Sequence, residues 1–146
     1  GGPGFDDPNY AVNWTVWGHS FTHYLRNWCR GLTAWNFALD EKGLPNIGPF
    51  NCGGLVTVDS LSSKITYSGQ YWALAHFSRY VRRGARRFQS LGEFKDLSHV
   101  AFQNPDGSKV VVLTNSGAAR TISLEMDSWQ TEVALEADSL TTLVWH

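Results

Sequence analysis

Hydrophobic residues in this chain follow two different periods, and the change comes near Gly84. Across residues 12–30, Trp14, Trp17, Phe21, Leu25 and Trp28 recur at threes and fours, the stripe of an amphipathic helix. Gly31 follows where a helix-terminating glycine is expected. Residues 69–83 predict a second helix: Tyr71, Leu74, Ala75, Phe77, Ser78 and Val81 supply its inner side, Arg82 and Arg83 its last turn, and Gly84 its end. Between the two, Leu32 to Leu39 reads as a short buried strand. "DEKGLPNIGPFNCGG" reads as a long loop of Gly, Pro and Asn, and "LVTVD" (Leu55 to Asp59) as a second strand.

Beyond Gly84 the period shortens to two. "VAFQ", the turn "NPDGS" and "KVVVLTN" predict a hairpin with a Pro-Asp-Gly loop. "RTISLEM", "WQTEVALE" and "SLTTLVW" follow at even spacing, with Ile122, Leu124 and Met126 on one face of the first and Thr121, Ser123 and Glu125 on the other. Short strands at such spacing predict an antiparallel β-sandwich of five or six strands over residues 85–146. Residues 1–84 are different. Two helices around one or two strands cannot cover both faces of a buried parallel strand, so this segment is expected to be the end of a larger α/β domain. The expected fold class is therefore α/β plus all-β.

Composition narrows the function. Of 146 residues, 42% are hydrophobic and 17% charged, which excludes a disordered chain. The net charge of −1 gives no reason to expect nucleic acid or an anionic membrane. The arginine run "RYVRRGARR" lacks the interleaved aromatics of a nucleic-acid groove, and reads as cations at a helix end plus a solvated connector. Seven Trp, eight Phe and five Tyr are the outlier, and five of the Trp precede residue 73. Indole faces suit sugar rings as well as large cores. Cys29 and Cys52 can be buried thiols or one disulfide, so the redox compartment stays open. The loop-like opening "GGPGFDDPNY", without Met, reads as a boundary within a longer protein and says nothing of location.

Candidate chemistry is sparse. Asp40-Glu41 is the obvious acidic pair, but neighbours on an extended chain point apart, and "KGLPN" behind them is turn chemistry. Asp6-Asp7-Pro8 reads as an acidic helix entry. His19 and His23 stand at i, i+4 without the glutamate of His-Glu-x-x-His or a nearby third ligand, so structural or cleft-lining roles are expected rather than a metal. His76 reads as a satisfied core histidine. Trp35 and Asn36 sit on a short apolar strand before a long loop, where a tryptophan can form either a sugar floor or part of a core.

"GLTAWNFALDEKGLPN", "IGPFNCGGLVTVD", "QYWALAHFSRYVRRGARR" and "VAFQNPDGSKVVVLTN", in that order, resemble the C-terminal portion of family 30 glycoside hydrolases, the group that includes the glucosylceramidases. The resemblance runs from about Tyr10 to His146. It implies a (β/α)8 barrel with an attached β-sandwich, residues 1–84 being the last strand–helix units and residues 85–146 sandwich strands, completed by strands from the family's N-terminal end. It implies Trp35 as a wall of the substrate's −1 sugar site, Asn51 as a substrate-binding residue, and a structural role for His19. Neither family context for a catalytic glutamate, Asn-Glu-Pro after strand four nor the end of strand seven, occurs in this chain.

The resulting expectation is the C-terminal part of a retaining β-glycosidase that hydrolyses β-glucosides or a glycolipid such as glucosylceramide without metal or cofactor. The isolated chain is expected to be inactive, and to depend on the N-terminal barrel portion or on self-association. The alternative, from another class, is a self-standing carbohydrate- or partner-binding β-sandwich module without catalysis.

Overall fold

A computed structural model describes residues 4–48, 52–126 and 128–146. In chain order the elements are α1 (Trp14–Arg26), β1 (Ala38–Leu39), β2 (Val56–Val58), β3 (Ile65–Tyr67), α2 (Gly69–Ser78), β4 (Arg86–Phe88), β5 (Leu97–Gln103), β6 (Lys109–Asn115), β7 (Arg120–Met126), β8 (Trp129–Leu135) and β9 (Ser139–Trp145). They form a small sheet β1-β2-β3, a four-stranded sheet β4-β5-β6-β9 and a two-stranded sheet β7-β8.

The four-stranded antiparallel sheet is the middle layer. Period-2 alternation along β5 and β6 divides its side chains between two cores. Val100, Phe102, Val110 and Val112 face the helices and pack with Phe21, Ala73 and Phe77. Leu97, Ala101, Val111 and Leu113 face the other way and pack with Ile122, Val133 and Leu135 of the β7-β8 hairpin. "KVVVLTN" is an unbroken apolar run for this reason: a strand covered on both faces has no side for water. After β6 the chain crosses to the second layer as β7-β8, then returns as β9, which pairs along all of β6 from Lys109↔Trp145 to Asn115↔Ser139.

The hairpin turn forms where "NPDGS" predicts it. Gln103 pairs with Lys109. Asn104 accepts from Arg82 N–H and donates through Nδ2 to Tyr80 O and Ser108 Oγ, so one buried amide ties the turn to the exit of α2. Gly107 sits at φ 87°, a conformation that glycine adopts without a Cβ clash.

The helices are shorter than their apolar patterns, and each difference has a local cause. α1 stops at Arg26 because Trp28, at φ 71°, takes the left-handed position where glycine is usual, and Cys29 N–H bonds back to Tyr24 O. The Arg87 guanidinium lies 4.8 Å from the centroid of that indole. Gly31 is thus not the cap. α2 opens on Ser68, whose hydroxyl accepts from Tyr71 N–H, and ends at Ser78 with Arg79, still helical in its dihedrals, as the C-cap. Arg86 and Arg87 then form part of β4 rather than a connector. Asp7 accepts from Asn9 N–H in a turn well before α1, so the acidic stretch is no helix entry.

The strand expected over Leu32 to Leu39 contracts to Ala38–Leu39, which pairs in parallel with Val56 and Thr57. Asn36 at φ 63° breaks extended geometry just before it. β3, absent from the sequence reading, pairs antiparallel with β2.

Gly18 lets α1 lie tightly against the sheet. A Cβ there would lie 2.6 Å from Thr114 Oγ1 and 2.9 Å from Leu140 Cδ2, and Thr114 is fully buried and cannot swing clear. Helix propensity favours Ala over Gly by about 1 kcal/mol, whereas overpacking costs about 1–3 kcal/mol. We expect Gly18→Ala to lower stability and the urea midpoint with an unchanged slope. A raised midpoint would contradict this packing.

Candidate functional site

Trp35 lies in the bend that leads into β1, where its indole is 67% exposed. Its neighbour Asn36 fixes the bend: Asn36 O accepts from Leu55 N–H, and Nδ2 reaches Cys52 Sγ at 3.6 Å. Phe37 is also exposed, and its carbonyl accepts from Val56 N–H. The backbone is thus pinned to β2 while two aromatic faces stay open. Asn51, expected as a second substrate-binding residue, lies outside the described residues. Both cysteines are free thiols.

The acidic pair is committed to turns. Asp40 Oδ1 accepts from Lys42 and Leu44 N–H, closing an Asx turn. Glu41 accepts from Ser60 N–H and from Ser60 Oγ, one bond on each carboxylate oxygen, and so ties this turn to the next one. Those bonds hold the Glu41 carboxyl below its ordinary range. Asp59 is lowered likewise by Ser62, through its hydroxyl and its N–H. A general acid for glycoside cleavage needs a raised pKa, so Glu41 is unsuited to that role.

The histidines join layers. His19, on α1, places Nδ1 2.7 Å from Ser98 Oγ and Nε2 2.9 Å from Ser116 Oγ, linking the helix to one end of the β5-β6 pair, where β5 begins and β6 leaves the sheet. Its structural role agrees with the resemblance. His99 bridges to Ser90 Oγ and Gly92 O, and His76 to Thr142 Oγ1 of β9 at 2.8 Å. His23 shares with His19 and His99 a groove of about 390 Å³ that also contains Arg26 and Glu93. Among the described residues no three His, Cys, Asp or Glu side chains come together as metal ligands.

Two further concavities escape sequence reasoning, because each is assembled from distant segments. One, of about 690 Å³, lies between the four-stranded sheet and β7, with Phe88, Leu97, Val111, Ile122, Leu124 and Met126 among its walls. The other, of about 350 Å³, is bounded by Trp14, Trp72, His76, Asp138, Ser139 and Leu140. Trp14 Nε1 donates to Asp138 O and Thr15 Oγ1 to Asp138 Oδ1, both at 2.7 Å, joining the start of α1 to the β8-β9 turn.

Residues 84–143 match the glycosyl hydrolase family 30 beta sandwich domain. The chain is 36% identical over 110 residues to an endo-1,6-beta-D-glucanase of Neurospora crassa, covering 68% of this chain and 23% of that protein. It is 34% identical over 98 residues to the mouse lysosomal acid glucosylceramidase, covering 66% and 19%. The crystal structure of SrfJ from Salmonella typhimurium superposes with a TM-score of 0.91 at 27% identity, over 99% of this chain and 33% of that one. The chain belongs to glycoside hydrolase family 30, of which it contains the C-terminal β-sandwich strands. It spans about a fifth to a quarter of the length of the curated relatives it matches.

Burial lowers the pKa of His19, against the nearby Asp96 carboxylate which raises it, and lowers that of His76. The unfolded chain therefore takes up these protons first, near the ordinary value of 6.5, and stability falls as pH drops through and below it. His19→Gln and His76→Gln should each flatten the decline of melting temperature between about pH 7 and 5. A slope identical to wild type in both variants would mean that neither histidine carries it.

Proposed function

We propose that this chain is the closing part of a retaining β-glycosidase acting on β-linked glucose, with residues 1–84 ending its (β/α)8 barrel and residues 85–146 forming its sandwich. The observation that carries this reading is the family 30 sandwich at residues 84–143. It is preceded by a parallel strand pair, β1 and β2, and two helices packed on the sandwich sheet. The names of the relatives, an endo-1,6-β-glucanase and a glucosylceramidase, converge on a β-glucosidic bond with different leaving groups.

Retention needs a nucleophile and an acid/base carboxyl about 5 Å apart. Asp40, Glu41 and Asp59 are occupied by turn hydrogen bonds, which supports a reading in which both catalytic glutamates are supplied from outside this chain. Trp35 supplies a wall of the sugar site, its open face meeting the apolar side of the ring, and Asn51 a polar contact on the following loop. Exposed Trp35, Phe37, Ile47 and Ile65 support a barrel wall that the rest of the enzyme, or a second copy, covers. The cavity beside β7 supports the same dependence, with an upstream strand completing the second sandwich layer.

The purified chain should not hydrolyse an aryl β-glucoside, whereas the complete enzyme should. In the complete enzyme, Trp35→Ala should lower kcat/KM by about tenfold or more, roughly 1.4 kcal/mol of transition-state binding, with Asp40→Asn and Glu41→Gln near wild type. Activity of the chain alone, or greater damage from the carboxylate changes, would reject this assignment.

A further inference from the structure

The cavity formed by Trp14, Trp72, His76 and Asp138 has no part in the reading above, and shares no residue with the Trp35 bend. At about 350 Å³ it is within the range of small-molecule sites, roughly 300–1,000 Å³, and its make-up is the usual one of apolar walls with a few placed polar groups. We propose that it binds a neutral β-gluco-oligosaccharide, with the indole of Trp72 as the stacking platform; the class of ligand rests on the glycosidase reading.

The geometry is that of a prepared site. Trp72 is 47% exposed, an unusual state for an indole on a helix that packs against a core. Its ring is braced by Tyr71, edge-on at 5.2 Å between centroids, and by Tyr67 at 5.3 Å, so little conformational freedom remains to be lost on binding. Trp14 is fixed by its bond to Asp138 O. Asp138 holds a left-handed backbone at φ 46°, a conformation that Asp tolerates better than most residues. One of its carboxylate oxygens takes the Thr15 hydroxyl, and the other has no partner among the described residues. His76 is held at Nδ1 by Thr142, which leaves Nε2 without a partner among the described residues.

These features select the ligand. Indole faces take the C–H face of a pyranose, while a carboxylate oxygen and an imidazole nitrogen at the rim take its hydroxyl groups. With no Lys or Arg among its walls, the cavity offers nothing to a phosphate or a carboxylate. Polar groups at the rim of an otherwise apolar hollow favour a ligand that carries hydroxyl groups over a purely apolar one.

Gentiotriose and cellotriose, the β-1,6- and β-1,4-linked glucose trimers, test this by calorimetry on the 146-residue chain. At least one should bind saturably. Trp72→Ala should weaken that binding by about tenfold or more, and Trp72→Phe, which keeps an aromatic face, should restore most of it. No binding of either trimer overturns the proposal, as does binding untouched by Trp72→Ala. Equal loss in the Ala and Phe variants, with a lowered melting temperature, also overturns it, since it would make Trp72 structural. Hydrolysis by the complete enzyme is scored separately: its loss would reject the activity without touching the cavity, and an empty cavity would leave the activity standing.

Discussion

Strand β6 has water on neither face, and the rest of the structure is arranged to keep it that way. Val110 and Val112 are sealed by α1 and α2, Val111 and Leu113 by the β7-β8 hairpin, and both backbone edges by β5 and β9. Removing any one layer would expose a run of β-branched side chains that no neighbour could cover. The two helices are therefore not an appendage to the sandwich. They form one wall of its hydrophobic core, and Gly18 allows the helix backbone to come close enough to do so.

Polar side chains make this arrangement specific. Hydrophobic contact would let α1 and α2 slide over the sheet, because burial is non-directional. His19 to Ser98 and Ser116, His76 to Thr142, and Thr15 to Asp138 set one position for each helix. Asn115, fully buried, does the same for the turns, donating to Ala118 O and Glu136 O and so locking the exits of β6 and β8 together. The carboxylates of the 40–62 region serve a similar end, with Glu41 joining two turns that hydrophobic packing does not reach.

The region around Trp35 contrasts with this. It is anchored through backbone bonds to β2, yet its aromatic side chains lie open. A surface of this kind is expected where a chain meets something else, whether the remainder of a barrel or a sugar. The acidic pair beside it draws attention in the sequence, but its hydrogen bonds close local turns.

The sequence alone determined the elements that local pattern controls. The period change near Gly84, the "NPDGS" hairpin, the strands from Arg120 onward and the inward face of Ile122, Leu124 and Met126 all follow from alternation and turn chemistry, which act over a few residues. The family was legible in the order of its motifs. Helix ends and the short strands were not. Trp28 in a left-handed cap, Arg86 and Arg87 in β4, and the contraction of the first strand to Ala38–Leu39 are each decided by a partner far along the chain. The second cavity shows the limit most directly. Trp14 and Asp138 are 124 residues apart and meet only because β9 lies beside β6 under the helices, so no window of sequence contains the site.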